Sequence, residues 1–130
     1  MGVWHSNDLV KPSGGKKSSS RKRRRYEAGS PPIETILGKE TELIKSRGMG
    51  GNYKFKLKVA ESINVSDPKT GKTVKEKIIG FVNNPSSTDY NRRGVITKGT
   101  VLKTKLGLVK VTSRPGQHGI LNGILIEQPE

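Results

Sequence analysis

Tyr53, Phe55, Leu57 and Val59 alternate with Lys54, Lys56 and Lys58, the period of two that belongs to a half-buried strand. The alternation predicts one face packed on a core and an opposite face presenting three lysines. A second strand is expected over residues 74–82, and residues 65–72 read as a turn or loop between the two. Residues 83–87 are expected to form a loop, and a polar stretch continues to Arg92-Arg93-Gly94. The last third carries short apolar segments at residues 95–97, 100–106, 108–113 and 119–126, with Gly99, Gly107 and Gly116 at or near the joints. Leu106-Gly107-Leu108 requires a tight turn or a bulge. Short strands separated by turn residues predict an all-β fold, a small β-barrel-like domain, and closure would remove exposed edges. Residues 33–47 fit two patterns: Ile33, Ile36, Leu37, Leu43 and Ile44 suit either a short helix or two short strands broken at Gly38.

Upstream the apolar pattern stops. Between Leu9 and Tyr26 the chain carries Lys11, Lys16, Lys17, Arg21, Lys22, Arg23, Arg24 and Arg25 and no acid. Pro12, Gly14, Gly15 and the run Ser18-Ser19-Ser20 interrupt it, and its charges repel one another, so this stretch is expected to be disordered when free. Gly29-Ser30-Pro31-Pro32 forces an extended exit. The expected organisation is a basic RNA-binding arm over residues 1–32 and a small β-barrel-like RNA-binding domain over residues 33–130.

Charge adds the partner class. The formal net charge is +14 over 130 residues, and a polycation orders best against a dense polyanion, nucleic-acid phosphate first. Only 30% of residues are hydrophobic and 5% aromatic, which predicts a lean core of Val, Ile and Leu. With no cysteine and two histidines, a disulfide scaffold and cysteine-ligated zinc are excluded, and no metal or other cofactor is expected. No apolar run approaches the length of a membrane span and no signal peptide is visible.

Several short patterns point elsewhere and fail on chemistry. Residues 66–73 end like a phosphate-binding loop, but Ser66 replaces its first glycine, Pro68 removes a backbone donor, and a strand is expected where a helix should open. Met1-Gly2 with Ser6 matches an N-acylation pattern that would need the arm as its second membrane signal; a chance match is the better reading. His5 and His118 lack a nucleophile or carboxylate partner at motif spacing, and the carboxylates are scattered among lysines. The expectation is no enzyme and no small-molecule substrate.

The remaining cations mean more as a set. Lys54, Lys56 and Lys58 project from one strand face, Arg92-Arg93 precede the β-rich third, and Arg114-Pro115-Gly116-Gln117-His118-Gly119 makes a basic turn. Each alone is an ordinary solvated surface; together with the arm they define an RNA-facing surface. Trp4 and Tyr26 bracket the basic stretch and are candidates to stack on unpaired bases, or to anchor the arm to protein.

The series Lys11-Pro12-Ser13-Gly14-Gly15-Lys16-Lys17, Arg21 to Glu27, Arg47-Gly48, Gly50-Gly51-Asn52-Tyr53, Asp67 to Lys72, Asn84-Pro85, Arg92-Arg93, Ile96-Thr97-Lys98-Gly99 and Val111 to Gln117 resembles the archaeal and eukaryotic small-subunit ribosomal protein eight family, the "e" family. The length, without an internal insertion, looks like the archaeal form. Met49 interrupts the family's compact Arg-Gly-Gly-Asn run, and His118 stands where an acid is expected. The resemblance implies a barrel-like domain with an extended arm, bound in the cytoplasm to small-subunit ribosomal RNA beside neighbouring small-subunit ribosomal proteins. It adds Lys98 and Gln117 to the candidates, with Tyr26, Arg47, Asn52 and Arg114 for shape-specific contacts. The alternatives are a ribosome-biogenesis factor with the same domain and, below it, a cationic membrane-surface adaptor.

Overall fold

The structure, a computed structural model, describes residues 2–127; Met1, where the acylation pattern begins, lies outside them. The chain divides into two compact units, Met1–Pro32 and Ile33–Glu130.

In the first unit, β1 (Val3–Trp4) pairs antiparallel with β2 (Ala28–Gly29), Val3 opposite Gly29 and Trp4 opposite Ala28. The chain between them turns back on itself at a bridge joining Val10 to Lys16, with the Lys17 N–H donating to the Leu9 carbonyl at 2.8 Å. A 3-10 turn over Arg25–Glu27 returns it to β2. None of residues 2–32 is buried. Two-residue strands with no buried residue lack the burial that makes a sheet stable by itself, so this unit has no core of its own and rests on backbone pairing and surface side-chain contacts.

The second unit begins with two short strands, β3 (Ile36–Leu37) and β4 (Glu42–Arg47), which settles residues 33–47 in favour of strand. Both flank β5 (Tyr53–Ala60), β3 parallel and β4 antiparallel to it. Then follow β6 (Ser62–Ser66), β7 (Thr73–Asn83), α1 (Thr88–Arg93), β8 (Val101–Thr104), β9 (Gly107–Val111), α2 (Pro115–His118) and β10 (Asn122–Glu127). Strands β10, β6, β7, β8 and β9, in that order, form a closed barrel. All its pairings are antiparallel except β6 with β10. Asn64 and Asn122 face each other across that parallel seam, and the Asn64 Nδ2 donates to Asn122 Oδ1 at 3.0 Å.

Alternation places Ile63 and Val65 of β6 and Val109 and Val111 of β9 inside. With Leu57, Ala60, Ile96, Leu102 and Leu121 they make up the core. Buried polar groups are paired: Thr35 Oγ1 donates to the Leu57 carbonyl at 2.7 Å, and Asn84 Nδ2 to the Val95 carbonyl at 2.7 Å. The latter ties the loop after β7 to the chain leaving α1.

The structure departs from the sequence expectations in four places. Residues 62–66 form a full strand, which takes in the first two residues of the loop expected over 65–72. The polar stretch contains the helix α1, closed by Gly94 in the left-handed region. Residues 95–97 make only a single bridge, Thr35 to Ile96; Val95 and Ile96 are consecutive and both buried, which an alternating strand does not permit. Finally, the inward face of β5 holds only in part: Leu57 is buried, whereas Tyr53 and Phe55 are exposed. The expected joint at Gly107 is a tight two-residue turn, with Thr104 opposite Gly107.

Candidate nucleic-acid interface

The arm keeps its cations at the surface by giving them little to pair with. Asp8 and Glu27 are its only acids. Arg21 takes Glu27, Nη2 to Oε1 at 2.5 Å, and also reaches the Tyr26 hydroxyl at 3.0 Å. Glu27 is held below its ordinary value first by the Arg24 backbone N–H and then by Arg21. Arg23 lies over the Trp4 ring at 5.7 Å and Arg21 over Tyr26 at the same distance, so both bracketing aromatics are engaged by arginines within the arm. Lys11, Lys16, Lys17, Lys22, Arg24 and Arg25 have no ion-pair partner among the described residues, and all are exposed. Lys11, Lys16 and Lys17 cluster at the tip because the Lys11 carbonyl accepts the Gly14 N–H at 2.9 Å and the Lys11 N–H donates to Gly15 at 2.7 Å. The result is a series of exposed, unneutralised charges, suited to phosphate.

On the second unit the predicted residues separate into three groups. The first is on the β4–β5 sheet. Lys54, Lys56 and Lys58 share one face of β5, as the alternation requires; Lys56 is half-buried and Lys58 binds Glu42 at 3.1 Å. Arg47 stands opposite Tyr53 at the open end of this sheet, beside a 3-10 turn over Met49–Gly51. Asn52 closes that turn: its Nδ2 donates to the Met49 carbonyl at 3.1 Å, and its carbonyl accepts the Gly48 N–H at 2.6 Å. Met49 thus extends an exposed loop tip.

The second group is on α1. Asp89 receives Arg92 at 2.8 Å and Arg93 at 2.8 Å, and Arg93 also forks onto both carboxylate oxygens of Glu34. Arg93 further covers the Tyr90 ring at 5.5 Å. Its guanidinium is committed within the fold.

The third group is a shallow groove of about 450 Å³ lined by Ile33, Tyr90, Ile96, Lys98, Arg114 and Gln117 among others. Here the fold brings Lys98 and Tyr90 to the basic turn that carries Arg114 and Gln117. The Arg114 backbone N–H donates to His118 Nδ1 at 3.2 Å, so the His118 ring closes back on Arg114, the residue that leads into the single turn of α2 carrying Gln117. Gly119 then turns the chain at φ 75°, where a Cβ would stand 2.8 Å from the Phe55 carbonyl oxygen; only glycine lets α2 close on β5.

Sequence reasoning did not single out Tyr90, half-buried at the groove, or three exposed lysines on the barrel's outside, Lys75 on β7, Lys103 on β8 and Lys110 on β9. None belongs to a charge run; they share the barrel exterior only through register, which local sequence does not display.

The turn from Asp67 to Lys72 has its donors occupied. The Asp67 carboxylate accepts the Lys69 N–H at 2.9 Å and the Thr70 hydroxyl at 2.9 Å, and these bonds, the Lys69 N–H first, hold its pKa below the ordinary value. A loop that supplies its own anion is a poor phosphate cradle. Among the described residues no helix is long and apolar enough to cross a membrane.

A closed β domain with a cationic exterior and an unburied polycationic arm defines a nucleic-acid-binding protein of structural type. Comparison with known proteins gives its kind. The model of the family described as "Ribosomal protein S8e" matches residues 4–126. The chain is 47% identical to the small ribosomal subunit protein eS8 of Sulfurisphaera tokodaii, over 98% of this chain and 100% of that one. It is 50% identical to the protein of the same name from Staphylothermus marinus over the same shares, and 51% identical to that of Nanoarchaeum equitans over 83% of this chain and 84% of the relative. The chain belongs to the ribosomal protein S8e family, in agreement with the resemblance read from its motifs, and its relatives here are archaeal.

Proposed function

We infer that this protein is a structural constituent of the small ribosomal subunit, binding ribosomal RNA through its arm and a basic face of its β domain. The observation that carries the reading is the end-to-end match to small-subunit relatives, 98% of this chain against 100% of the first. The cationic surface supplies the mechanism. Free in water, the arm has no buried residue to order it; laid between RNA helices, its cations replace condensed counterions and it takes a defined path. Lys11, Lys16, Lys17, Lys22, Arg23, Arg24 and Arg25 supply the salt-dependent affinity. Arg21, Arg23, Trp4 and Tyr26 stiffen the arm. On the β domain, Lys98, Arg114 and Gln117 in the groove, and Arg47 and Asn52 at the loop tip, fix position on the RNA by shape. Lys54, Lys56, Arg92 and His118 border these contacts. The protein catalyses nothing: it neutralises and positions RNA, beside neighbouring ribosomal proteins, in cytoplasmic ribosomes.

A salt titration of the full chain on small-subunit ribosomal RNA tests this. Affinity should fall linearly on a log–log plot, by roughly 0.7 to 0.9 per phosphate neutralised. Salt-independent binding would overturn the phosphate mechanism.

A further inference from the structure

The strand face that begins in the core ends in the open. Leu57 on β5 is 3% exposed, whereas Phe55 and Tyr53 on the same face are 49% and 54% exposed. The N-terminal half of β5 runs past the core, paired with β4. Register sets Leu43 opposite Leu57, Lys45 opposite Phe55 and Arg47 opposite Tyr53, so side-chain alternation puts all six on one face. Lys45 Nζ lies 4.1 Å from the centroid of the Tyr53 ring, a cation over an aromatic face. The one acid of β4, Glu42, lies beyond a register shift and binds Lys58.

Two exposed rings side by side mark a contact surface rather than idle exposure. What they contact follows from the charge around them. Every charged side chain on this face is a cation, which disfavours an ordinary apolar protein patch and favours a polyanion that itself carries aromatic faces. Rings two residues apart on a strand are separated by about 7 Å, twice the roughly 3.4 Å step of stacked bases; that spacing fits consecutive nucleotides splayed apart in a single strand.

We propose that Tyr53 and Phe55 form a stacking platform for unpaired RNA bases, with Lys45 and Arg47 meeting the adjoining phosphates. The proposal rests on the RNA-binding reading above and names the RNA form that this face takes.

The test uses the full chain and two fluorescein-labelled probes, a 12-nucleotide oligouridylate and a 12-base-pair RNA duplex, read by anisotropy. Y53A/F55A should weaken oligouridylate binding by about tenfold or more, leave duplex binding and both salt slopes unchanged, and be rescued by Y53F/F55Y. The arm variant R23A/R24A/R25A, run in parallel, should weaken both probes. If the arm variant weakens both and Y53A/F55A weakens neither, the platform is overturned while RNA binding stands; equal loss on both probes for Y53A/F55A overturns it too. Unchanged RNA affinity with loss of incorporation into small subunits would assign the face to a neighbouring protein, against the proposal. In a W4F/Y53W chain, which places the lone indole on the platform, oligouridylate should quench tryptophan fluorescence. An unquenched signal at saturating probe contradicts stacking.

Discussion

Arg93 and Glu34 form a forked ion pair that ties α1 to the segment leading into β3: Arg93 Nη1 bonds Glu34 Oε2, and Nη2 bonds Oε1 at 2.9 Å. Both faces of the arginine's work are internal, since Asp89 takes Nε at 3.0 Å. Arg114 has no such carboxylate among the described residues and lines the groove beside Lys98. The two arginines, alike in sequence as basic candidates, therefore differ in role. R114A should lower the salt slope of RNA binding by about one, while R93A leaves the slope unchanged and lowers the melting temperature. Salt titrations of the two variants side by side check this; a slope lost in R93A and kept in R114A would reverse the roles.

The arm carries charge without burial. R23A/R24A/R25A should reduce the log–log slope by roughly two to three, with the circular dichroism melt of the β domain unchanged because no residue of 2–32 is buried. A lower melting temperature would show that the arm contributes to the fold.

Leu57 is the last residue of its face to reach the core. L57A should cost roughly 2 to 5 kcal/mol, measured by denaturant unfolding, whereas Y53A on the same face should cost far less. Equal losses would place Tyr53 inside.

Gly119 and Gly71 both have positive φ, 75° and 69°, but only at Gly119 would a Cβ strike backbone; Gly71 faces open space. G71A should cost about 1 kcal/mol for the conformation alone. G119A should cost distinctly more, because α2 must also lift from β5. Urea melts of the two variants should rank in that order.

Acid should destabilise the β domain. Glu61, held down by Lys77, Asp67, held down by the Lys69 N–H and Thr70, and Asp89, held down by Arg92, all have lowered folded-state pKa values. A lowered pKa contributes stability that is complete above the unfolded-state value and lost as pH falls through the folded one. Melting temperature should therefore hold from pH 7 to about 5 and decline below about 4. D67N should melt lower at pH 7 and show a shallower acid decline. Parallel curves for D67N and the parent would remove Asp67 from the account.

The period of two at residues 53–59 was legible because alternation is local, but how far the strand outruns its core is not, so Tyr53 and Phe55 read as interior. Strand β6 was hidden because Ile63 and Val65 supply only two inward residues beside a strong turn signal, and its partner β10 lies across a parallel seam far along the chain. Helix α1 lacks an apolar stripe: Asp89 with Arg92 and Arg93 and the Gly94 cap hold it, and Tyr90 is its one aromatic residue. At the interface, the arm was legible as a charge run. The approach of Lys98 and Tyr90 to the turn of Arg114 and Gln117 was not, since it depends on where α2 docks.

Sedimentation of native lysate through a sucrose gradient tests most directly whether the protein holds a structural place in the small subunit. Fractions would be probed for this protein at moderate and at high salt. The protein should appear at one copy per mature small subunit and per translating ribosome, and high salt should weaken its retention. Confinement to immature particles, or migration free of ribosomes at moderate salt, would contradict the account.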